Sequence, residues 1–453
     1  MSIFQGKQKW TLLIVLTTVF AGFCAGVFIQ RAGIPGRIKH ATFAHRSVYT
    51  PITVVAEVEH KEPPQAWLRK FPYPFKCALA IASDIDYCSV EEFDEIHRFL
   101  NTTETTTMGP GLGLDIADSM WMYDISDIYP DHNTPPSMSY WKGIEPGIIK
   151  DAKHIKQCVE KGWIDSLHTY GDFSRIKNAF SRELAKAALE ELTSKRIFLD
   201  MWIDHGDSCN TQDFAQYYSH SCEQGDDPNS PAYHTDLLLA YGVRYAWGPE
   251  RQEFGTENPA VPLTLRDGRR IWQFSRYTRD DVGRTGYNWF PNTIHRSLTQ
   301  DNLRKLIENN LWEIVANHFG APTPGRVERV KTRPPFGPEA RNALRRLAHE
   351  FRRGNIMVLR TSRLLKYYVV SKHLDWEYDS DGNCIYIQAV DDAVFGRYIP
   401  TLSDLRGVTF YVSSPIHPKM VLGDTGIRDD DLTWNAHDGT SYSVTIRPYF
   451  TYP

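Results

Sequence analysis

Short apolar runs alternate with helical patterns from residue 67 to residue 374, and this alternation constrains the fold more than any other feature of the chain. Residues 77–82 form one such run, and Ser89 and Glu92 make a capping box that predicts a helix directly after it. Strands that alternate with helices predict an α/β fold with a parallel sheet or barrel. Binding sites in such folds lie at the carboxyl ends of the strands.

The chain divides into four predicted parts. They are an N-terminal tail and transmembrane anchor (residues 1–30), a stem or linker (31–66), the α/β domain (67–374) and a small all-β module (375–453). The last part is assigned from its aromatic and β-branched runs, which favour strands.

Residues 11–30 carry no charge and are long enough to cross a bilayer as a helix. A cleaved signal peptide would have a shorter apolar region, so the segment predicts an uncleaved anchor and a single-pass membrane protein. We expect the body to lie outside the cytoplasm, in the periplasm or beyond, because N-terminal anchors usually serve that purpose. The positive-inside rule does not favour this orientation, since basic residues are more numerous after the segment than before it.

The 7 cysteines show no CxxC pattern, so a structural zinc site is not expected. Cys209 and Cys222 are close enough in sequence to form a disulfide in an exported protein. Buried free thiols are the favoured alternative.

Charge and aromatic content restrict the partners. The formal net charge of -4 gives no reason to expect nucleic acid or an anionic membrane surface as a partner. The chain has 12 Trp, 23 Tyr and 22 Phe, and exposed aromatic faces can stack on sugar rings. Aromatic residues are also common in cores and strands, and composition alone favours that interpretation.

Acidic and histidine side chains follow four of the predicted strands. They are Asp84 and Asp86, then His168 and Asp172, then Asp204, His205 and Asp207, and finally His318. An imidazole with one or two carboxylates can hold a divalent cation and leave a position open for water. The cation lowers the pKa of that water, a spare carboxylate accepts its proton, and a histidine across the site protonates the leaving group.

Each group also has a structural alternative. Acids after a strand often cap a helix, although Ser89 already fills that position after the first strand. A histidine and an aspartate four residues apart occur on many solvated helix faces, but His168 and Asp172 directly follow an apolar strand, which favours function. His234 is kept as a candidate for the substrate site, although a histidine at its position more often begins a helix.

The order of these motifs resembles the polysaccharide deacetylase family, which comprises metal-dependent carbohydrate esterases of the glycoside hydrolase/deacetylase superfamily. The resemblance implies a distorted (β/α)7 barrel. It implies that Asp84 is the catalytic base and that Asp86 binds the metal ion. It also implies that His168, with Thr169, begins a second metal-binding motif and that His318 is the catalytic acid.

The chain departs from the family pattern at two places. Asp172 stands where the family has a second histidine, which would shift the metal preference. The Arg-Pro motif usual on the following strand is absent, and Asp204, His205 and Gly206 stand there instead. In addition, Ile85 separates Asp84 from Asp86, so which of the two binds the metal ion is left open.

The resulting hypothesis is a hydrolase that removes an acyl group, N-acetyl in the first instance, from an amino-sugar polysaccharide or oligosaccharide. The expected cofactor is a divalent ion, zinc before manganese, cobalt or nickel, bound by Asp86, His168 and Asp172. The expected substrate-binding residues are Trp202, Asp204, His205, Asn210 and His234. Two rivals remain: a carbohydrate-binding or assembly protein without catalysis, and a glycosidase that uses two carboxylates.

Overall fold

The computed structural model describes residues 66–125, 137–173, 179–205, 210–214, 222–278, 289–321, 333–413 and 415–448. Its strands are β1 (Ala66–Leu68), β2 (Cys77–Ser83), β3 (Thr105–Thr106), β4 (Gly109–Pro110), β5 (Ala117–Met120), β6 (Ile164–His168), β7 (Met201–Ile203), β8 (Tyr245–Trp247), β9 (Ala260–Thr264), β10 (Arg270–Phe274), β11 (Trp312–Asn317), β12 (Ile356–Val358), β13 (Leu374–Asp379), β14 (Cys384–Asp392), β15 (Gly396–Tyr398), β16 (Thr409–Val412), β17 (Lys419–Leu422), β18 (Thr425–Gly426), β19 (Leu432–Asn435) and β20 (Tyr442–Ile446). Its α-helices are α1 (Val90–Asn101), α2 (Ala152–Lys161), α3 (Arg182–Ser194), α4 (Thr235–Tyr241), α5 (Ile294–Ser297), α6 (Gln300–Glu308), α7 (Pro338–Arg352) and α8 (Thr361–Lys372).

Nine strands form the central sheet. Its main path is β11-β2-β5-β6-β7-β8-β10-β9, and β12 also pairs with β2. The neighbours are parallel, except that β9 runs antiparallel to β10. The carboxyl ends of the parallel strands therefore lie on one side, which we call the carboxyl end of the sheet, and the opposite side is its amino end.

Burial explains why the apolar runs form this sheet. All seven residues of β2 are buried, and so are all residues of β5, β6, β7, β11 and β12. Parallel strands covered on both faces favour such continuous apolar runs. The capping box begins α1 as predicted, because the Ser89 hydroxyl accepts a hydrogen bond from the Glu92 backbone N–H.

The predicted (β/α)7 barrel is wrong. Among the described residues no strand ladder closes the sheet, and only isolated bridges, such as Tyr277 with Val315, link the region after β10 to β11. The alternation of strand and helix fails after β8, where the chain forms the antiparallel strand β9 and turns at Gly268 (φ 83°) into β10. The protein is a mixed α/β structure with several separate sheets.

The strands that follow α8 build two further sheets. One has the order β1-β16-β20-β19, and the other has the order β13-β14-β17-β18 with β15 on β14. Strand β1 thus joins the first described residues to the C-terminal sheet. The four-part division of the chain stays a prediction.

The structure also corrects the predicted localisation. The predicted anchor, residues 11–30, lies outside the described residues. In the part of the chain that the structure describes, no helix is long and apolar enough to cross a membrane, which contradicts the single-pass prediction.

The cysteines follow the favoured interpretation only in part. Cys77, Cys158 and Cys384 are buried free thiols. Cys222 is disulfide-bonded, so the free-thiol prediction is wrong for that residue. Cys209 lies outside the described residues, and its pairing with Cys222 stays a prediction.

Candidate metal centre

The loop after β2 holds two aspartates at the carboxyl end of the sheet. The Asp84 backbone N–H donates to the carbonyl oxygen of Asn317 at 3.0 Å, and the Ile85 N–H donates to the Ser119 hydroxyl at 3.0 Å. Neighbouring strands β11 and β5 therefore fix the loop on both sides. Asp84 and Asp86 are 1% and 5% exposed, so both carboxyl groups lie in a site largely closed to bulk water.

Two histidines approach Asp86 from the neighbouring strands β6 and β7. His168 is the last residue of β6, and its Nδ1 lies 3.3 Å from the carbonyl oxygen of Ile203. This contact turns Nε2 towards the site, as the outer contacts of metal-binding histidines do. His205 follows β7, and its backbone N–H donates to Asp213 Oδ1 at 3.2 Å.

Asp86, His168 and His205 converge in a geometry that suits a cation. Asp86 Oδ2 lies 3.0 Å from His168 Nε2, and Asp86 Oδ1 lies 3.1 Å from His205 Nε2. Nitrogen and oxygen ligands of a tetrahedral zinc ion are about 3.3 Å apart when each lies about 2.0 Å from the metal. Asp86 Oδ2 and His168 Nε2 are both buried, and although they lie 3.0 Å apart, neither atom has a partner with hydrogen-bond geometry. A cation between them would satisfy both atoms, so these three residues fit a metal ion.

Asp84 belongs to a second group beside the first. Arg276 Nη1 lies 2.7 Å and 2.9 Å from its two carboxylate oxygens, and His318 Nε2 lies 3.2 Å from Oδ2. The same His318 atom is 3.5 Å from Asp86 Oδ2. The guanidinium of Arg276 lies over the ring of Trp247 at 3.9 Å, which holds this buried cation in place.

The charged neighbours decide the protonation of both aspartates. Burial raises the pKa of Asp84, but Arg276, His168 and His318 lower it by more, so the net shift is downward. Burial likewise opposes the charge on Asp86, and His168 and His205 hold its pKa well below its usual value. Burial lowers the pKa of His318, although both aspartates raise it in part. Near neutral pH the site therefore contains two carboxylates and a neutral His318 imidazole.

Tryptophan rings pack against His168 and His318. Trp121, directly after β5, stacks on His168 with an interplanar angle of 8° and a centroid distance of 5.8 Å. Trp289 lies 4.3 Å from His318, centroid to centroid. The Trp121 Nε1–H is buried without a hydrogen-bond partner. It is therefore an unused hydrogen-bond donor beside His168.

Asp172, the predicted third ligand, does not join His168 and Asp86. The chain turns sharply after β6, with φ 49° at Thr169 and φ 154° at Gly171, and this turn does not bring Asp172 to the point where Asp86 and His168 meet. Gln212 fixes this turn by accepting from the Tyr170 N–H and donating to the Gly171 carbonyl oxygen. His205, predicted to bind substrate, offers the third potential ligand atom instead.

The other predicted substrate residues lie in the interior. Trp202 is fully buried and its Nε1–H donates to Asp204 Oδ1 at 2.7 Å. Asn210 Nδ2 donates to Asp213 Oδ1, the same oxygen that fixes the His205 backbone. Trp202, Asp204 and Asn210 thus support the loop that carries His205.

His234 packs among aromatic rings, of which Trp202 lies 5.2 Å away and Tyr170 5.3 Å away between ring centroids. Burial lowers the pKa of His234 to about 4. It is therefore a neutral core residue. Asp207 lies outside the described residues.

Sequence reasoning missed Arg276, Trp121, Trp247 and Trp289. Arg276 comes two residues after β10, a strand that the sequence predicts at 270–274 with the same bounds. The rule that places functional groups at the carboxyl ends of strands would have found it. Comparisons with protein-family models, with curated proteins and with solved structures find no match to this chain.

Proposed function

We propose that the protein is a metal-dependent hydrolase that removes an acyl group, most readily N-acetyl, from an amino sugar. The observation that carries the proposal is the convergence of Asp86, His168 and His205 beside the paired Asp84 and His318. The first group can hold a cation, and the second can move protons next to it.

The ligand set favours zinc. Two imidazoles and one carboxylate are the donors of catalytic zinc sites, which keep a position open for water. Manganese, cobalt and nickel accept the same donors and are the alternatives. A bound ion would polarise the acyl carbonyl and lower the pKa of a coordinated water.

Asp84 and His318 have complementary proton-transfer roles. Asp84 is ionised and can take a proton from the attacking water. Its Oδ2 lies 3.2 Å from His318 Nε2, so the proton can pass to His318 and then to the leaving nitrogen. Arg276 keeps Asp84 charged before the reaction and orients its carboxylate through two hydrogen-bonding contacts.

The substrate class rests on two observations. Asp84, Asp86, His168 and His318 follow the order of the polysaccharide deacetylase motifs, and Trp121 and Trp289 supply aromatic rings at the site. A two-carboxylate glycosidase is disfavoured, because it needs one protonated carboxylic acid. The pKa values of Asp84 and Asp86 are both lowered, so neither provides one near neutral pH.

The test is acetate release from N-acetylated hexosamine oligosaccharides by the purified protein. We expect a chelator to abolish release and zinc to restore it. His168→Ala should lose both the activity and about one bound ion, whereas His437→Ala, at an exposed position in the C-terminal sheet region, should keep both. New reducing ends without acetate would indicate a glycosidase. A protein that binds the ion and the sugar but releases no acyl group would be a binding protein, and either result would refute the proposal.

A further inference from the structure

A second group of potential ligands lies between α1 and α2, away from the proposed active site. His154 and Cys158 are four residues apart on α2 and therefore share one helix face. Asp94 on α1 faces them. Helix α1 begins directly after the loop that carries Asp84 and Asp86, so a link between the two helices bears on the position of that loop.

The three ligand atoms surround one point. His154 Nε2 lies 3.1 Å from Asp94 Oδ1 and 3.4 Å from Cys158 Sγ, and all three atoms lie within 4.8 Å of one another. Around a tetrahedral zinc ion, nitrogen and oxygen ligands are about 3.3 Å apart, and nitrogen and thiolate ligands are about 3.6 Å apart. The observed separations approach these values without any rearrangement of the helices.

The use of one nitrogen atom for both contacts separates this group from a catalytic triad. In a Cys-His-Asp triad the thiol and the carboxylate bind opposite nitrogens of the imidazole. Here the Cys158 thiol and the Asp94 carboxylate both face His154 Nε2. This nitrogen carries either one proton or one lone pair, so it cannot relay a proton between the two groups. Asp94 Oδ1 is moreover buried, and its 3.1 Å contact with His154 Nε2 lacks hydrogen-bond geometry. A cation at the common point would satisfy all three atoms.

The environment also disfavours a nucleophilic cysteine. Burial and, to a smaller extent, Asp94 raise the pKa of Cys158 and Lys161 lowers it, with a net value of about 12. A neutral thiol is a poor nucleophile. Asp94 and His154 keep 40% and 24% of their side-chain surface exposed, so an ion from solvent can reach the group.

We propose that Asp94, His154 and Cys158 form a second metal site, which takes a thiolate-binding divalent ion such as zinc and holds α1 to α2. Binding forms a metal–sulfur bond and releases the thiol proton to solvent. The fourth position is left to water. The thiolate excludes manganese and magnesium as natural occupants, because these ions prefer oxygen ligands. This site does not depend on the proposed hydrolase activity.

Cobalt substitution distinguishes the two sites. Cobalt bound to a thiolate gives a sulfur-to-metal charge-transfer absorption, and the site of Asp86, His168 and His205 has no sulfur ligand. We expect this absorption in the cobalt-loaded protein, its loss in Cys158→Ser and its persistence in Asp86→Asn. Cys384→Ser, at a buried free cysteine in β14, is the matched control and should keep it.

Elemental analysis supplies the second readout. The zinc-loaded wild type should hold about two ions, Cys158→Ser and Asp86→Asn about one each, and the double variant none. If Cys158→Ser does not fold, His154→Ala, at a partly exposed position, should lose the same ion. The proposal is overturned if the cobalt-loaded wild type lacks the thiolate absorption, or if removal of Cys158 or His154 leaves the ion count unchanged.

Discussion

Asp86 and Asp165 lie at opposite ends of the central sheet and are buried to similar extents, with 5% and 7% of their surface exposed. Burial opposes the charge on both carboxyl groups. The pKa of Asp86 is nevertheless well below its usual value, because two histidine rings lie within 3.1 Å of it. Burial instead raises the pKa of Asp165 to about 6.

The difference lies in the partners that the fold provides. The Ser362 backbone N–H donates to Asp165 Oδ2 at 2.9 Å, and Arg360 lowers the pKa only from a distance. No lysine or arginine of the described residues forms an ion pair with Asp165. The amino end of the sheet thus buries an acid with a backbone donor, whereas the carboxyl end places Arg276 and imidazole rings at contact distance from its acids. Burial alone therefore does not make a charged site, whereas the convergence of side chains from several strand ends does.

The largest expected effect separates the two aspartates by function. Asp86→Asn should lose its bound ion and reduce acyl hydrolysis by on the order of 10³-fold or more, because hydroxide is no longer generated at neutral pH. Asp165→Asn should keep the ion and the activity. Elemental analysis and acetate release measure both outcomes. Equal loss in the two variants would mean that the ends of the sheet do not differ in function.

The next effect concerns stability. Arg276→Gln leaves the buried carboxylate of Asp84 without its guanidinium partner, and loss of one member of a buried ion pair costs about 3–5 kcal/mol. Arg360→Gln should cost less than about 1 kcal/mol, since Arg360 forms no contact ion pair with an aspartate in the described part of the chain. Urea unfolding at pH 7 gives both free energies of unfolding. Similar losses of unfolding free energy in the two variants would show that an ion pair at contact distance stabilises the protein no more than an arginine farther from its acid.

The pH dependence of stability tests whether burial raises the pKa of Asp165 at the amino end of the sheet. The unfolded chain loses the Asp165 proton near pH 3.8, the ordinary value for an aspartate, whereas the folded protein keeps it to about pH 6 because burial raises the pKa. The contribution of Asp165 to the free energy of unfolding should therefore fall as the pH rises from about 4 to about 6, by roughly 3 kcal/mol in total. Asp165→Asn keeps an acceptor for the Ser362 N–H and cannot ionise, so the wild-type minus variant difference in the free energy of unfolding should show this decline. A wild-type minus variant difference that is constant with pH would contradict the assignment.

The acids and histidines at the carboxyl end of the sheet could be predicted from the sequence, because the rule that locates them needs only the residues that follow an apolar run. Apolar runs identified the strands, and the residue after each run identified Asp84, Asp86, His168 and His318. The exchange of Asp172 for His205 was not predictable, since it depends on the left-handed conformation of Thr169 and on Gln212, which is more than forty positions away and fixes the turn.

Long-range pairing explains the other failures. The antiparallel strand β9 replaces the helix that a barrel would need after β8, and its five residues, AVPLT, do not show the strict alternation of a half-buried strand. The contact of Arg276 with Asp84 joins residues 192 positions apart. No local pattern encodes such a distance, although the position of Arg276 after a strand marks it as a candidate.

The smallest effect compares two tryptophan–histidine stacks at the two ends of the sheet. Trp121 stacks on His168 at the carboxyl end, and Trp163, just before β6, stacks on His97 with a centroid distance of 5.6 Å. Trp121→Phe keeps an aromatic ring but removes the buried Nε1–H that has no protein partner, and loss of one hydrogen bond to substrate costs about 1.4 kcal/mol. We therefore expect kcat/KM for acyl hydrolysis to fall about tenfold with the ion retained, whereas Trp163→Phe leaves kcat/KM unchanged. Equal values for the two variants would show that the Trp121 N–H does not contact substrate and that its ring only orients His168.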